Sequence, residues 1–72
     1  MSKLPVVRPK EVIAALGRAG FIEVRTKGSH VQMKKANLLV TIPYHNKDLH
    51  AETMKSILRQ AKMSVKEFSE LL

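Results

Sequence analysis

Two turn pairs, Gly28-Ser29 and Ala36-Asn37, bracket the run His30 to Lys35, and they constrain the fold of this chain more than any other feature. A turn of two residues joins antiparallel neighbours, because a parallel pair needs a crossover of about a dozen residues. Before the first turn, Phe21 to Thr26 alternates with a period of two. That places Ile22, Val24 and Thr26 on one side and Glu23, Arg25 and Lys27 on the other. His30 to Lys35 sets Val31 and Met33 against His30, Gln32 and Lys34. Leu38 to Ile42 is the third run, and Pro43, which has no N–H for a ladder, closes it and opens the polar loop Tyr44 to His50. The middle of the chain therefore predicts a three-stranded antiparallel meander. Such a sheet is not stable bare, so the flanking segments must cover one face and leave the other open to solvent or ligand.

Those flanking segments read as helices. Pro9 suits a first helical turn, and Val12, Ile13, Leu16 and Ala19 recur at helical spacing until Gly20 supplies a left-handed stop, which predicts a helix over about 9–19. Met54, Ile57, Leu58 and Ala61 form one apolar stripe on a helix over about 51–61. Ser64 and Glu67 then make a capping-box pattern before a short terminal helix with Phe68, Leu71 and Leu72. The expected class is α+β, with the order helix, three strands, helix, short helix. A chain of 72 residues is one domain, with residues 1–8 expected to be a loosely ordered N-terminal segment. Without cysteine, no disulfide or thiolate site can staple the fold, and the His, Asp and Glu residues are too scattered for a structural metal. No segment has the length of a signal h-region or a membrane span, so the reading is a cytoplasmic protein without a membrane partner.

Charge narrows the partner. Thirteen Lys and Arg against 6 Asp and Glu give a formal net charge of +7, which repels itself in a compact fold and is relieved by a polyanion. Nucleic acid fits better than a membrane surface, because the cations are spread over strands and helices instead of lining one amphipathic helix. Lysines that merely keep a small domain soluble are the plainer account.

The strand period says where the cations sit. If Ile22, Val24, Val31, Met33, Val40 and Ile42 face the helices, then Arg25, Lys27, His30, Gln32, Lys34 and Thr41 face away. Like charges on neighbouring strands are unfavourable, so a face holding Arg25, Lys27 and Lys34 suits a bound phosphodiester. Lys55, Arg59 and Lys62 form a second basic stripe, for which a solvated helix face is an equal account.

Three stretches carry a family resemblance: KGSH at residues 27–30, VTIPYHNK at 40–47 and TMKSILRQA at 53–61. In order, spacing and total length they resemble the HicA family of small toxins from toxin–antitoxin systems, over about Pro9 to Leu72. The resemblance implies a fold like the double-stranded RNA-binding domain. It also implies cleavage of messenger RNA independent of translation, neutralisation by a HicB-type antitoxin, and a catalytic histidine in the Gly-Ser-His position, here His30. The chain departs from the family pattern at Glu52-Thr53-Met54, where Gly-Thr-Leu is common, and in the glycine-free loop His45 to Asp48. Neither change touches the Gly-Ser-His turn.

Metal-free RNA cleavage can use the substrate's own 2′-hydroxyl as nucleophile. It then needs a proton acceptor, a donor for the leaving oxygen, and cations for the charge on phosphorus. Histidine titrates in the right range, and neighbouring cations favour its neutral form. His30 is the candidate acid or base, Lys27 and Lys34 the candidate phosphate contacts, and Gly28 and Ser29 candidate amide donors, with Arg25 and Lys47 completing a candidate RNA-binding set. His45, at the family's Pro-x-His position, is a candidate second acid, although a loop histidine capping a strand end is the plainer account. His50 reads as a helix-start residue, and His45, Asp48 and His50 lack the spacing of a metal site. For His30 itself the plain alternative is a polar residue on an exposed strand of a noncatalytic RNA-binding module. Met33, Met54 and Met63 read as core filler, and Phe21 and Tyr44 as core and rim aromatics that could also stack a base.

Overall fold

The computed structural model describes residues 3–72. In chain order the elements are α1 (Pro9–Arg18), β1 (Ile22–Lys27), β2 (His30–Lys35), β3 (Leu38–Pro43), α2 (Ala51–Ala61) and α3 (Val65–Glu70). The sheet is antiparallel in the order β1-β2-β3, so the architecture is α+β with the α-β-β-β-α order of a dsRBD-like fold and a short helix added at the C-terminus. Of the N-terminal segment, Met1 and Ser2 lie outside the described residues, while Val7 is buried and its carbonyl accepts from the Leu49 N–H at 2.9 Å.

Local chemistry sets the boundaries. Pro9 opens α1, where its missing N–H removes only a donor that would have no helical partner, and the Arg8 N–H donates to Glu11 Oε1 at 3.1 Å. Past the C-cap Ala19, Gly20 takes φ +104, a conformation that costs glycine nothing. Two cations close helix ends: Lys35 Nζ donates to the Ala19 carbonyl at 2.7 Å, and Arg18 Nη1 donates to the Leu71 carbonyl at 2.7 Å.

The core joins Val12, Ala15 and Leu16 of α1 to Met54, Ile57, Leu58 and Ala61 of α2 and Phe68 of α3. Beneath them lie Val31 and Met33 of β2 and Val40 and Ile42 of β3, so the helices cover one face of these two strands. Gln60 of α2 completes the edge of β3 by accepting from the Thr41 N–H at 3.0 Å.

β1 departs from the alternation expected of it. Ile22 and Val24 do not face the helices; they are 65% and 48% exposed. The cause is a bulge between Glu23 and Arg25, which leaves Val24 without a Cα partner on β2. One inserted residue swaps the sides of everything before it. Ile22 therefore pairs with Lys34 on the open face, and Glu23 pairs with Met33 on the helix side, while Arg25, Thr26 and Lys27 keep their expected sides. All of β1 is exposed, so the helix side of this edge strand is uncovered as well.

α3 carries the expected capping box. The Glu67 N–H donates to Ser64 Oγ at 3.1 Å and the Ser64 N–H donates to Glu67 Oε1 at 3.0 Å. The bonds from the Ser64 backbone and then from its side chain hold the Glu67 carboxyl below its ordinary titration range. A lowered folded-state value means that the ionised carboxylate stabilises the cap above the unfolded value and that this contribution is lost as pH falls through the folded one. Ser64→Ala is expected to cost about 1 kcal/mol, read as a lower melting temperature at neutral pH, and to flatten the loss of stability seen on acidification of the parent.

Candidate nucleic-acid interface

The open face of the sheet reads as three cross-strand rows. At one end Lys27, His30 and Pro43 are neighbours; in the middle, Arg25, Gln32 and Thr41; at the other end, Ile22, Lys34 and Leu39. Arg25, Lys27, His30, Gln32 and Thr41 line one depression of about 330 Å³ on this face. The two-residue turn at Gly28-Ser29 forces Lys27 and His30 into direct opposition. Side chains so paired have Cβ atoms about 5 Å apart.

His30 is exposed, on the side of β2 opposite the buried Val31 and Met33, so its imidazole belongs to the open face and not to the core. Gly28 takes φ +58, and a Cβ built there would meet no atom within 4 Å, so the approach to the turn is clear. Ser29 anchors the end of the sheet: its carbonyl accepts from the Tyr44 N–H. The sheet thus brings together Arg25, Lys27, Gly28, Ser29 and His30.

Lys34 is placed apart from them. Four residues along a strand cover about 14 Å, and Lys34 stands between the exposed apolar side chains of Ile22 and Leu39. His45 and Lys47 lie in the exposed loop after β3, where the Lys47 N–H donates to His45 Nδ1 at 3.1 Å. That bond leaves Nε2 to carry the proton of the neutral ring. His50 is the N-cap of α2 and makes no side-chain cap bond. Among the described residues no three of His, Asp or Glu gather to hold a metal ion.

The electrostatics are one-sided. Among the described residues the ion pairs are Arg8 with Asp48 at 3.9 Å and Lys55 with Glu52 at 3.6 Å, both exposed, and neither involves Arg25, Lys27 or Lys34. The sheet face therefore presents cations without carboxylate partners, ready for phosphate oxygens. Gln32 and Thr41, which the strand period places on this face but to which it assigns no task, line the depression with them.

The model of the HicA family, toxins of bacterial toxin–antitoxin systems, matches residues 9–63. The chain belongs to the HicA toxin family. No match is found among curated proteins. The matched stretch of this HicA-family chain runs from the first residue of α1 past the end of α2, and so includes every residue of the depression and the Gly-Ser-His turn. Membership in a toxin–antitoxin family implies an antitoxin partner. No helix of the described residues is long and apolar enough to cross a membrane.

Proposed function

We propose that this HicA-family toxin is a cytoplasmic endoribonuclease that cuts messenger RNA at the open sheet face and is held inactive by a HicB-type antitoxin. One observation carries the reading: His30 stands exposed in a depression shared with Lys27 and Arg25, directly across the hairpin from Lys27. RNA supplies its own nucleophile. His30 accepts the proton of a 2′-hydroxyl as that oxygen attacks the adjacent phosphorus, a 2′,3′-cyclic phosphate forms, and the 5′-oxygen of the next nucleotide leaves with a proton. Lys27 and Arg25 neutralise the charge that builds on the phosphoryl oxygens. The amides of Gly28 and Ser29, at a turn with open space around it, are further donors to the same oxygens. His45 is the candidate proton donor to the leaving oxygen, as the imidazolium, a form that gives up the bond its Nδ1 accepts from the Lys47 N–H. Lys34, about 14 Å along β2, and Lys47 on the loop contact other phosphates of the bound strand.

No step in this scheme needs a metal or a small-molecule cofactor. Purified protein is expected to cut single-stranded messenger RNA at the same rate with and without EDTA, and its expression without the antitoxin to arrest growth. Loss of cleavage in EDTA sinks the metal-free scheme. RNA that is bound but not cut by the wild type sinks the enzyme reading in favour of a noncatalytic module of dsRBD-like fold.

A further inference from the structure

On the reverse side of the same hairpin lies a second depression, of about 230 Å³, lined by Glu23, Thr26, Gly28, Val31 and Tyr44. It exists because of two features already described. The bulge turns Glu23 to the helix side with Thr26, and the helices do not reach β1, so that side stays uncovered. Phe21 and Tyr44 part company here: Phe21 is 3% exposed in the core, whereas Tyr44 is 48% exposed and tied by its N–H to the Ser29 carbonyl, one residue from His30. Glu23 is the only acidic residue between Gly20 and Lys47. A carboxylate there opposes phosphate, and it is held in place: Thr26 Oγ1 donates to Glu23 Oε2 at 2.9 Å.

We propose that this depression is a base-recognition subsite that takes a guanine of the RNA strand whose phosphate lies at His30. The inference rests on the endoribonuclease reading for the position of that phosphate, but the subsite can be tested by binding alone. A half-exposed aromatic ring beside a phosphate-binding turn is a stacking platform for an unstacked base. The oriented carboxylate selects which base. Guanine offers two adjacent N–H donors on its Watson–Crick edge, which match a carboxylate in two parallel hydrogen bonds. Uracil offers one N–H flanked by two carbonyl oxygens, which a carboxylate repels. The absence of a side chain at Gly28 lets the strand pass round the turn from the face of His30 to that of Tyr44.

The test uses full-length His30→Ala protein, so that nothing is cut, and fluorescein-labelled ten-nucleotide uridine oligomers with a single central G, C, A or U, read by anisotropy. The G oligomer is expected to bind at least about fivefold tighter than the all-U oligomer. The preference is expected to vanish in Glu23→Gln and Tyr44→Ala and to persist in Tyr44→Phe, with the slope of affinity against salt unchanged throughout. An equal affinity for all four oligomers, a preference that survives Glu23→Gln and Tyr44→Ala, or no binding of any oligomer overturns the subsite. If Tyr44→Ala lowers the melting temperature, Glu23→Gln decides alone. Failure of the wild type to cleave RNA refutes the endoribonuclease and leaves a measured G preference standing; cleavage without any base preference does the reverse.

Discussion

Replacing His30 by alanine is expected to abolish growth arrest and to slow RNA cleavage by the purified protein by about 10²–10⁴-fold, the usual contribution of a positioned acid or base. The fold gives this substitution a clean interpretation. His30 is exposed and lies on the face of β2 that no helix covers, so its removal opens no cavity. Surface changes of this kind alter stability by less than about 0.5 kcal/mol, and the melting temperature is expected to stay where it is. RNA binding is expected to persist as well, because Arg25 and Lys27 still line the depression. Loss of turnover with binding and fold intact is the signature of a group that acts on the reacting atoms. A substituted protein that still cuts RNA at the parental rate removes His30 from the chemistry, whatever else the basic face does.

Much of this was legible in the residues because the strongest signals are local. Turn pairs at 28–29 and 36–37, Pro9, Gly20, Pro43 and the Ser64–Glu67 box each act within a few residues, and each stands at an element boundary in the structure. The side on which His30, Gln32 and Lys34 lie followed from β2, a central strand with regular alternation. β1 departs from its sequence pattern because a bulge is not written in composition: Ile22 and Val24 are good core residues in type, and only pairing with β2 shows that one of them is surplus to the ladder. The same insertion makes the open face mixed, basic at the His30 end and apolar where Ile22 and Leu39 flank Lys34. Lys34 and His30 share a period, and period carries no information about distance along the strand. Pairing with α2 was equally invisible, since the bond from the Thr41 N–H to Gln60 joins residues nineteen positions apart.

The largest effect on the fold itself is expected from Phe68→Ala. Phe68 is 0% exposed and packs in the core although it lies in α3, a helix of 6 residues beyond the stretch 9–63 that carries the family match. A helix so short has little stability of its own, so α3 is held by its capping box, by the Arg18 bond to the Leu71 carbonyl and by packing, in which Phe68 is its fully buried side chain beside the partly buried Val65 and Leu71. Truncating a buried Phe costs about 3–5 kcal/mol, because the transfer free energy of the ring is lost and the cavity only partly collapses. A chain of 72 residues has about 4–11 kcal/mol of total stability at the usual value per residue. The substitution therefore removes a large share of it, and the melting temperature is expected to fall by more than about 10 °C. Phe68→Leu, which keeps most of the volume, is expected to lose less than about 1.5 kcal/mol and to keep growth arrest. A loss below about 1 kcal/mol in Phe68→Ala, measured by urea unfolding, shows instead that α3 frays from the domain without consequence. The sheet that carries His30 is then supported by α1 and α2 alone.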